Sequence, residues 1–346
     1  MSPTVRRAPA VFGLGPLERW LADPAVTDVM VNAGTDVWIE RRRGGTADGA
    51  FGADRTNGAD VGDHGPQLVG VLEPGVLDAV LERVLAPIGR RLDRSSPVVD
   101  ARLPDGSRVC AVVPPVAVDG ACMAIRRFGV DAVPVAAFGA PQIIELVGDV
   151  VAARCNVLVS GATSAGKTTL LNALAARVAP DERIITLEDT AELRLEAPHV
   201  LRLETRPASP DGAPPIDLAM LLRTALRLRP DRLVIGEIRG DEAPELVQAL
   251  NTGHDGSLAT IHANGPIDAL ARLESLVVQA SPGWTLPAVR DQVRRSIDVV
   301  IHVRRDASGH RRISDVCEVS ARDGALAVVP LTDRDAVVAG LTRRRR

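Results

Sequence analysis

Apolar and polar positions follow two periodicities along the chain, one typical of strands and one typical of helices. Residues 29–32 and 37–40 alternate and flank Ala33-Gly34, which predicts a β-hairpin. Residues 74–85 carry leucine and valine at the spacing of an amphipathic helix. A short helix at 17–22 and strands at 108–113 and 122–128 complete this half. The first part of the chain is therefore predicted to be a small α+β domain.

The second half changes to short apolar runs of buried-strand type. Residues 130–139, with Pro134 and the turn that follows, read as a linker into a helix at 142–153. Buried-type strands are predicted at 156–160, 183–187 and 232–237. This organisation predicts a second domain of the α/β class.

Composition narrows the class of protein. The chain has 346 residues and a net charge of −3, which describes a globular protein without the general basicity of a nucleic-acid binder. The four cysteines are scattered, so neither a zinc site nor a disulfide framework is predicted, and a reducing cytoplasm fits best. Residues 44–65 are rich in Gly, Asp, Ala and Thr and predict a long mobile loop.

Membrane association is expected to be peripheral. No apolar segment approaches the ~18 residues that a spanning helix needs, and residues 1–10 lack the apolar core of a signal peptide. The basic residues 343–346 are interpreted as a solvated terminus in preference to a lipid contact.

One motif points directly to nucleotide chemistry. Residues 161–168 fit the P-loop pattern G-x-x-x-x-G-K-[ST], between an apolar strand and a helical pattern. Lys167 is expected to reach the β- and γ-phosphates of ATP, and the Thr168 hydroxyl to bind Mg²⁺. The backbone of the glycine-rich turn is expected to hold the phosphates. The predicted nucleotide-binding residues are Gly161, Ala162, Thr163, Ser164, Ala165, Gly166, Lys167, Thr168 and Thr169.

Carboxylates follow two later strands. Glu188, Asp189 and Glu192 come at the end of the strand at 183–187, and Glu237 ends the strand at 232–237. Ligands bind at the carboxyl ends of strands in open α/β sheets. A hydrolytic site needs one carboxylate near the metal and one to orient or deprotonate water. Either group alone could equally cap a helix, but both together after a P-loop favour catalysis, with Glu188 and Asp189 as candidate Mg²⁺ ligands through water.

A histidine-containing segment lies further along. His262 ends a short apolar strand beside Thr260 and Asn264, where a sensor of the γ-phosphate could be built. A lone histidine in a core would usually be structural. Its position at a strand end favours the functional interpretation.

These motifs together resemble the type II/type IV secretion-system ATPase superfamily, and within it the CpaF-like Tad/Flp pilus-assembly group of actinobacterial type. The resemblance spans residues 21–319. Four ordered motifs carry it: the P-loop, T-L-E-D-T-A-E-L at 186–193, L-R-P-D-R-L-V-I-G-E-I-R-G at 228–240 and T-G-H-D-G-S-L-A-T-I-H-A-N at 252–264. Residues 89–109 resemble the family's N-terminal domain, and 294–319 its closing β-hairpin. The four-cysteine zinc module of type II enzymes is absent, and the 44–65 loop is longer than the family's hairpin.

The resemblance implies a RecA-like ATPase core preceded by a smaller α+β (PAS-like) domain, assembled as a hexameric ring. It implies that the N-terminal domain contributes arginines to the phosphates; Arg108 and Arg126 match best, and Arg102 and Arg127 less well. A guanidinium suits this role because its charge is planar and permanent. The expected boundaries are a flexible N-terminus at 1–16, the N-terminal domain at 17–130, a linker at 131–141, the ATPase domain at 142–320 and a C-terminal segment at 321–346.

The expected function is a Mg²⁺-dependent ATPase that powers pilus assembly or protein secretion. The resemblance implies a cytoplasmic location at the inner face of the cell membrane and inner-membrane platform proteins as partners, and no direct nucleic-acid binding is expected. The alternative is an ATP-driven DNA motor or conjugal-transfer ATPase of related ring architecture, against which the lack of basic stripes and aromatic platforms argues. An ABC transporter subunit would carry an L-S-G-G-Q-like signature, which is missing. A non-hydrolysing nucleotide-gated scaffold is disfavoured by the intact Lys167, Glu237 and His262.

Overall fold

The chain divides at residue 130 into two compact units, which are described separately. The computed structural model describes residues 13–41, 66–103, 105–127, 133–208, 212–306 and 309–342. The predicted loop at 44–65 and the basic residues 343–346 lie outside the described residues.

Unit 1 is an antiparallel sheet with helices on one face. The elements are α1 (Glu18–Leu21), β1 (Val26–Asn32), β2 (Asp36–Arg41), β3 (Gln67–Val71), α2 (Val76–Leu85), β4 (Val98–Arg102), β5 (Arg108–Val112) and β6 (Cys122–Arg126), with 3₁₀ turns at Gly15–Leu17 and Ala86–Ile88. The strand order is β3-β2-β1-β6-β5-β4. The predicted hairpin is confirmed, with β1 beginning three residues earlier than expected.

The core of unit 1 follows from the periodicities of its elements. Leu77, Val80 and Val84 of α2 are buried, as the helical spacing requires, and they pack with the inward side chains of the strands. Residues 13–16, which the sequence analysis assigned to a flexible N-terminus, belong to this unit. Leu14 is fully buried in this core because the chain enters it through the turn at Gly15–Leu17.

Unit 2 is built on an eight-stranded sheet. Its elements are α3 (Pro141–Ala152), β7 (Val157–Gly161), α4 (Lys167–Ala175), β8 (Ile184–Glu188), β9 (Val200–Glu204), α5 (Leu218–Ala225), β10 (Arg232–Ile238), α6 (Ala243–Asn251), β11 (Leu258–His262), α7 (Pro266–Ala280), α8 (Leu286–Ser296), β12 (Val299–Arg305), β13 (Arg311–Arg322), β14 (Ala325–Pro330), β15 (Thr332–Asp333) and β16 (Ala336–Val337), with 3₁₀ turns at Val135–Phe138 and Leu226–Leu228. The strand order is β14-β13-β12-β7-β11-β10-β8-β9. The strands from β12 to β9 in this order are parallel, β13 pairs antiparallel with β12, and β14 pairs antiparallel with β13.

Helices cover both faces of this sheet. Side chains of α3 and α4 pack on one face, and those of α5 to α8 pack on the other. All five residues of β7 and of β8 are buried, which explains why these strands read as continuous apolar runs. Because β7, β11, β10 and β8 are parallel, their carboxyl ends share one edge of the sheet. This edge carries the four motifs predicted after the linker.

Two of the expected boundaries lie within elements that belong to unit 2. The linker at 131–141 contains the 3₁₀ turn Val135–Phe138, and Phe138 is 1% exposed within the core of unit 2. The ATPase domain was predicted to end at residue 320, yet β13 continues to Arg322 and pairs with β14. None of the helices in the described parts of the chain is long and apolar enough to cross a membrane.

Candidate functional site

The P-loop joins the end of β7 to the start of α4. Gly166 has φ +105° and Ser164 has φ +59°, so the turn uses the left-handed region just before the helix. A Cβ at Gly161 would lie 2.6 Å from the Val303 carbonyl oxygen of β12, a contact that only glycine avoids. The loop is thus shaped by local glycine conformation and by close packing against β12.

Lys167 is held inside this loop. Its Nζ donates to the carbonyl oxygens of Gly161 and Ala162, each at 3.0 Å. Burial lowers the pKa of the Lys167 amine, while the nearby charge of Glu237 opposes that shift. It is also the only lysine among the chain's 346 residues. The amine therefore lies where incoming phosphate oxygens can replace carbonyl partners.

β11 brings His262 beside the P-loop. His262 pairs in register with Gly161 of β7, and its Nδ1 lies 3.5 Å from the Thr163 hydroxyl oxygen. The neighbouring Thr260 hydroxyl donates to the Gly236 carbonyl of β10 at 2.5 Å. These contacts link the histidine segment to both the phosphate loop and the strand that carries Glu237.

Glu188 is turned into the protein at the end of β8. It is 2% exposed, and its Oε1 accepts hydrogen bonds from the backbone N–H groups of Glu192 and Leu193, both at 2.8 Å. Burial raises the pKa of this carboxyl to about 7, against the opposing effect of those two N–H donors. Glu188 therefore fixes the turn that carries Glu192, which is half-buried.

A second oxygen of the same carboxylate has no hydrogen-bond partner within the described residues. Glu188 Oε2 and Thr186 Oγ1 are both buried and unpaired there, two residues apart on one face of β8. Since buried polar atoms are normally hydrogen-bonded, these two oxygens are available to bind a further polar group or cation. Mg²⁺ prefers hard oxygen ligands and is usually held by one or two protein oxygens together with phosphates, so Glu188 and the Thr168 hydroxyl fit it. No cluster of three or more His, Cys, Asp or Glu side chains suited to a metal occurs in the portions that the structure describes.

Glu237 and Asp189 are joined through Arg239, which the sequence analysis did not single out. Arg239 Nη2 donates to Glu237 Oε2 at 2.7 Å, and Arg239 Nη1 lies 3.6 Å from Asp189 Oδ2. The hydrogen bond to Glu237 raises the pKa of Arg239. The turn after β10 is fixed by Glu242, whose Oε1 accepts from the backbone N–H groups of Arg239 and Gly240. The only sequence signal for Arg239 was its position two residues after Glu237.

The arginines predicted to act on phosphate lie in unit 1. Arg108 of β5 pairs with Asp100 at 3.2 Å, and Arg126 of β6 pairs with Asp28 at 2.9 Å. Both belong to the face of the sheet opposite its core, and the Arg126 side chain is 62% exposed. Arg127, which with Arg102 matches less well, donates to the backbone carbonyls of Asp23 and Val26 and has a structural role.

The sequence analysis also missed a buried pair beside the P-loop strand. The Ser160 hydroxyl lies 2.8 Å from His302 Nδ1 of β12. Burial lowers the pKa of His302, which favours its neutral form. This contact ties β7 to β12 just before the phosphate loop begins.

Comparisons with known proteins agree with this architecture. A sequence profile for the family described as "Type II/IV secretion system protein" matches residues 11–329. A "Putative conjugal transfer protein" of Mycobacterium tuberculosis (strain CDC 1551 / Oshkosh) is 37% identical over 334 residues, covering 93% of this chain and 89% of the relative. The type IV secretion system protein PtlH of Bordetella pertussis (strain Tohama I) is 32% identical over 350 residues, covering 92% of this chain and 97% of the relative.

Solved structures extend the comparison to the fold. The X-ray structure of the Legionella pneumophila ATPase DotB matches with a TM-score of 0.60 at 16% identity, covering 87% of this chain and 79% of that chain. At this identity the likeness concerns the fold alone. It confirms the predicted fold class, a RecA-like α/β core preceded by a smaller α+β unit.

Proposed function

The chain belongs to the type II/IV secretion system protein family, and from that membership we propose that it hydrolyses ATP to ADP and phosphate with Mg²⁺ to power pilus assembly or protein secretion. One observation carries the proposal. Lys167 lies inside a complete P-loop, and Glu237, Glu188 and His262 lie at or next to the ends of the strands that share its edge of the sheet. A nucleotide bound there would have its γ-phosphate among groups that neutralise charge and accept a proton.

Each side chain has a distinct part in the proposed reaction. Lys167 offsets the charge of the β- and γ-phosphates, and Thr168 with Glu188 or Asp189 would hold Mg²⁺. When bound, the ion neutralises charge on the phosphate oxygens. Glu237 accepts a proton from water as the water oxygen attacks the γ-phosphorus and the bond to ADP breaks. The contact of Arg239 with Glu237 Oε2 supports this role, because it fixes the direction of the carboxylate.

The remaining side chains act around this centre. Glu192 is a second candidate for orienting water, since Glu188 holds its backbone at the same edge. His262 senses the γ-phosphate beside Thr163. Arg108 and Arg126 of unit 1 provide positive charge to the phosphates. Both side chains are partly exposed and lie in surface ion pairs. Such pairs cost little to break, which supports this role.

We further propose that the protein works as a homo-oligomeric ring, a hexamer, at the cytoplasmic face of the cell membrane, and that its partners are inner-membrane platform proteins. Family membership supports both statements. A conjugal-transfer ATPase is the second candidate, and the 37% identical relative described as a conjugal transfer protein favours it. Stimulation of hydrolysis by DNA would select this second candidate over pilus assembly or protein secretion.

The single lysine permits a direct test of the site. We expect Lys167→Ala to remove most ATP hydrolysis, measured as phosphate release. The charge of Lys167 stabilises the transition state by several kcal/mol, so its loss should lower the rate by about 10²-fold or more. An amine-directed reagent should modify only Lys167 and the α-amino group, and ATP should protect Lys167 from it. Normal turnover by a correctly folded Lys167→Ala protein, or labelling that ATP does not reduce, would contradict the assignment.

A further inference from the structure

The β12–β13 hairpin packs directly against the phosphate loop. The Val303 carbonyl oxygen of β12 lies 2.6 Å from where a Cβ of Gly161 would be, and Arg311 Cδ of β13 lies 2.6 Å from where a Cβ of Gly166 would be. Arg311 Nη1 donates to the Thr169 hydroxyl at 3.1 Å. A cationic side chain therefore rests on the first turn of α4, beside Gly166 of the P-loop.

The sheet order decides which end of a nucleotide Arg311 would meet. β10 and β8, which carry Glu237 and Glu188, lie on one side of β7, whereas β12 and β13 lie on the other. Lys167 reaches the β- and γ-phosphates, and loop N–H groups hold the α- and β-phosphates. A nucleotide bound with its γ-phosphate beside these carboxylates would place its α-phosphate on the side from which Arg311 approaches.

We propose that Arg311 is a nucleotide-binding residue that contacts the α-phosphate of a nucleoside di- or triphosphate; this rests on the proposed function. A guanidinium suits the site because its planar fork can bind two phosphate oxygens, or one oxygen and the Thr169 hydroxyl. The half-buried position of Arg311 strengthens such a contact compared with a fully solvated one. The α-phosphate is common to ATP and ADP and does not react. Arg311 therefore sets affinity for both nucleotides and leaves the chemical step unchanged.

The test compares Arg311→Ala and Arg311→Gln with Arg312→Ala in the full-length protein. Arg312 is the adjacent arginine on β13, but its side chain is exposed and lies on the other face of the strand, so it is a matched control. We expect Arg311→Ala to weaken both ADP and ATP binding by roughly 10-fold to 100-fold, by isothermal titration, as for a lost charge-assisted hydrogen bond. The kcat at saturating ATP should stay within about threefold while KM rises in parallel. Arg312→Ala should match the wild type.

The glutamine variant separates a phosphate contact from support of the loop. In Arg311→Gln the side chain keeps the aliphatic stem that packs beside Gly166 but carries no charge, so this variant should bind nucleotide as weakly as the alanine variant does. Wild-type affinity in Arg311→Gln, or an unchanged affinity in Arg311→Ala, would overturn the proposal, as would a fall in kcat without loss of affinity. Failure of the wild-type protein to bind ATP and ADP at all would instead reject the proposed function, so the two failures are distinguishable.

Discussion

Replacing Glu188 by glutamine should change how the stability of the protein depends on pH. Burial raises the pKa of Glu188 from its ordinary 4.5 to about 7. Each tenfold change in proton affinity is worth ~1.36 kcal/mol, so the difference corresponds to about 3 kcal/mol of folding free energy. The folded chain binds this proton more tightly than the unfolded chain does. Binding of this proton therefore stabilises the folded chain fully below pH 4.5, and that stabilisation is lost as the pH rises through about 7.

Glutamine isolates this effect because it keeps the hydrogen-bond acceptor. Its Oε1 can still accept from the backbone N–H groups of Glu192 and Leu193, and it cannot ionise. With a pKa of 4.5 in the unfolded chain and about 7 in the folded chain, Glu188 should lower the wild-type free energy of unfolding by about 2 kcal/mol between pH 5 and pH 8. Glu188→Gln lacks this loss, so its free energy of unfolding should rise by the same amount relative to wild type over that range. The variant should be the more stable protein at pH 8.

The measurement is urea unfolding at a series of pH values, without nucleotide or Mg²⁺. Glu204→Gln is the control, since Glu204 pairs in register with Glu188 on β9 but is exposed. It should keep the wild-type pH profile. Parallel profiles for Glu188→Gln and wild type would refute the reasoning. The same variant also tests the role in catalysis: a fall in turnover of about 10² or more would mean that Glu188 acts on metal or water directly.

Two further predictions concern turnover. Glu237→Gln should still bind ATP while hydrolysis falls by about 10² or more, because the amide cannot accept the proton; an equal loss of ATP affinity would assign Glu237 to metal binding. Arg108→Ala and Arg126→Ala should each lower turnover by roughly 10-fold to 10³-fold with a smaller change in ATP affinity. Asp28→Asn is the control, since it removes the charged partner of Arg126 but keeps the arginine, and it should retain turnover. If Asp28→Asn and Arg126→Ala lowered turnover equally, the pair would have a structural role instead.

Local patterns in the sequence predicted the elements that hold the site. The strands that end at Gly161, Glu188 and His262 read as short apolar runs because helices cover both faces of their sheet. The P-loop was recognisable because its glycines occur at fixed spacing. Side-chain direction was not predictable in the same way. Glu188 follows a buried strand like any ligand-binding carboxylate, yet it turns inward to hold the backbone of Glu192.

Contacts between distant segments account for what the sequence did not predict. Arg311 meets Thr169 across 142 positions, and the Ser160–His302 contact spans the same separation. Neither contact leaves a local periodicity, since each depends on the order of strands in the sheet. β14 was missed for a different reason. It is an edge strand, largely exposed, so it lacks the apolar run that marked the central strands.

The distribution of basic residues bears on the chemistry of the loop. The chain has 41 lysines and arginines, and all but Lys167 are arginine. Arginine presents a wide planar fork that keeps its charge, whereas the lysine amine is a compact point with three donors. In the P-loop the amine binds two carbonyl oxygens of the turn, at Gly161 and Ala162. The lysine makes both contacts from a single nitrogen, which a guanidinium does not reproduce because its donors are spread over three nitrogens, so lysine suits this position by its shape as well as by its charge.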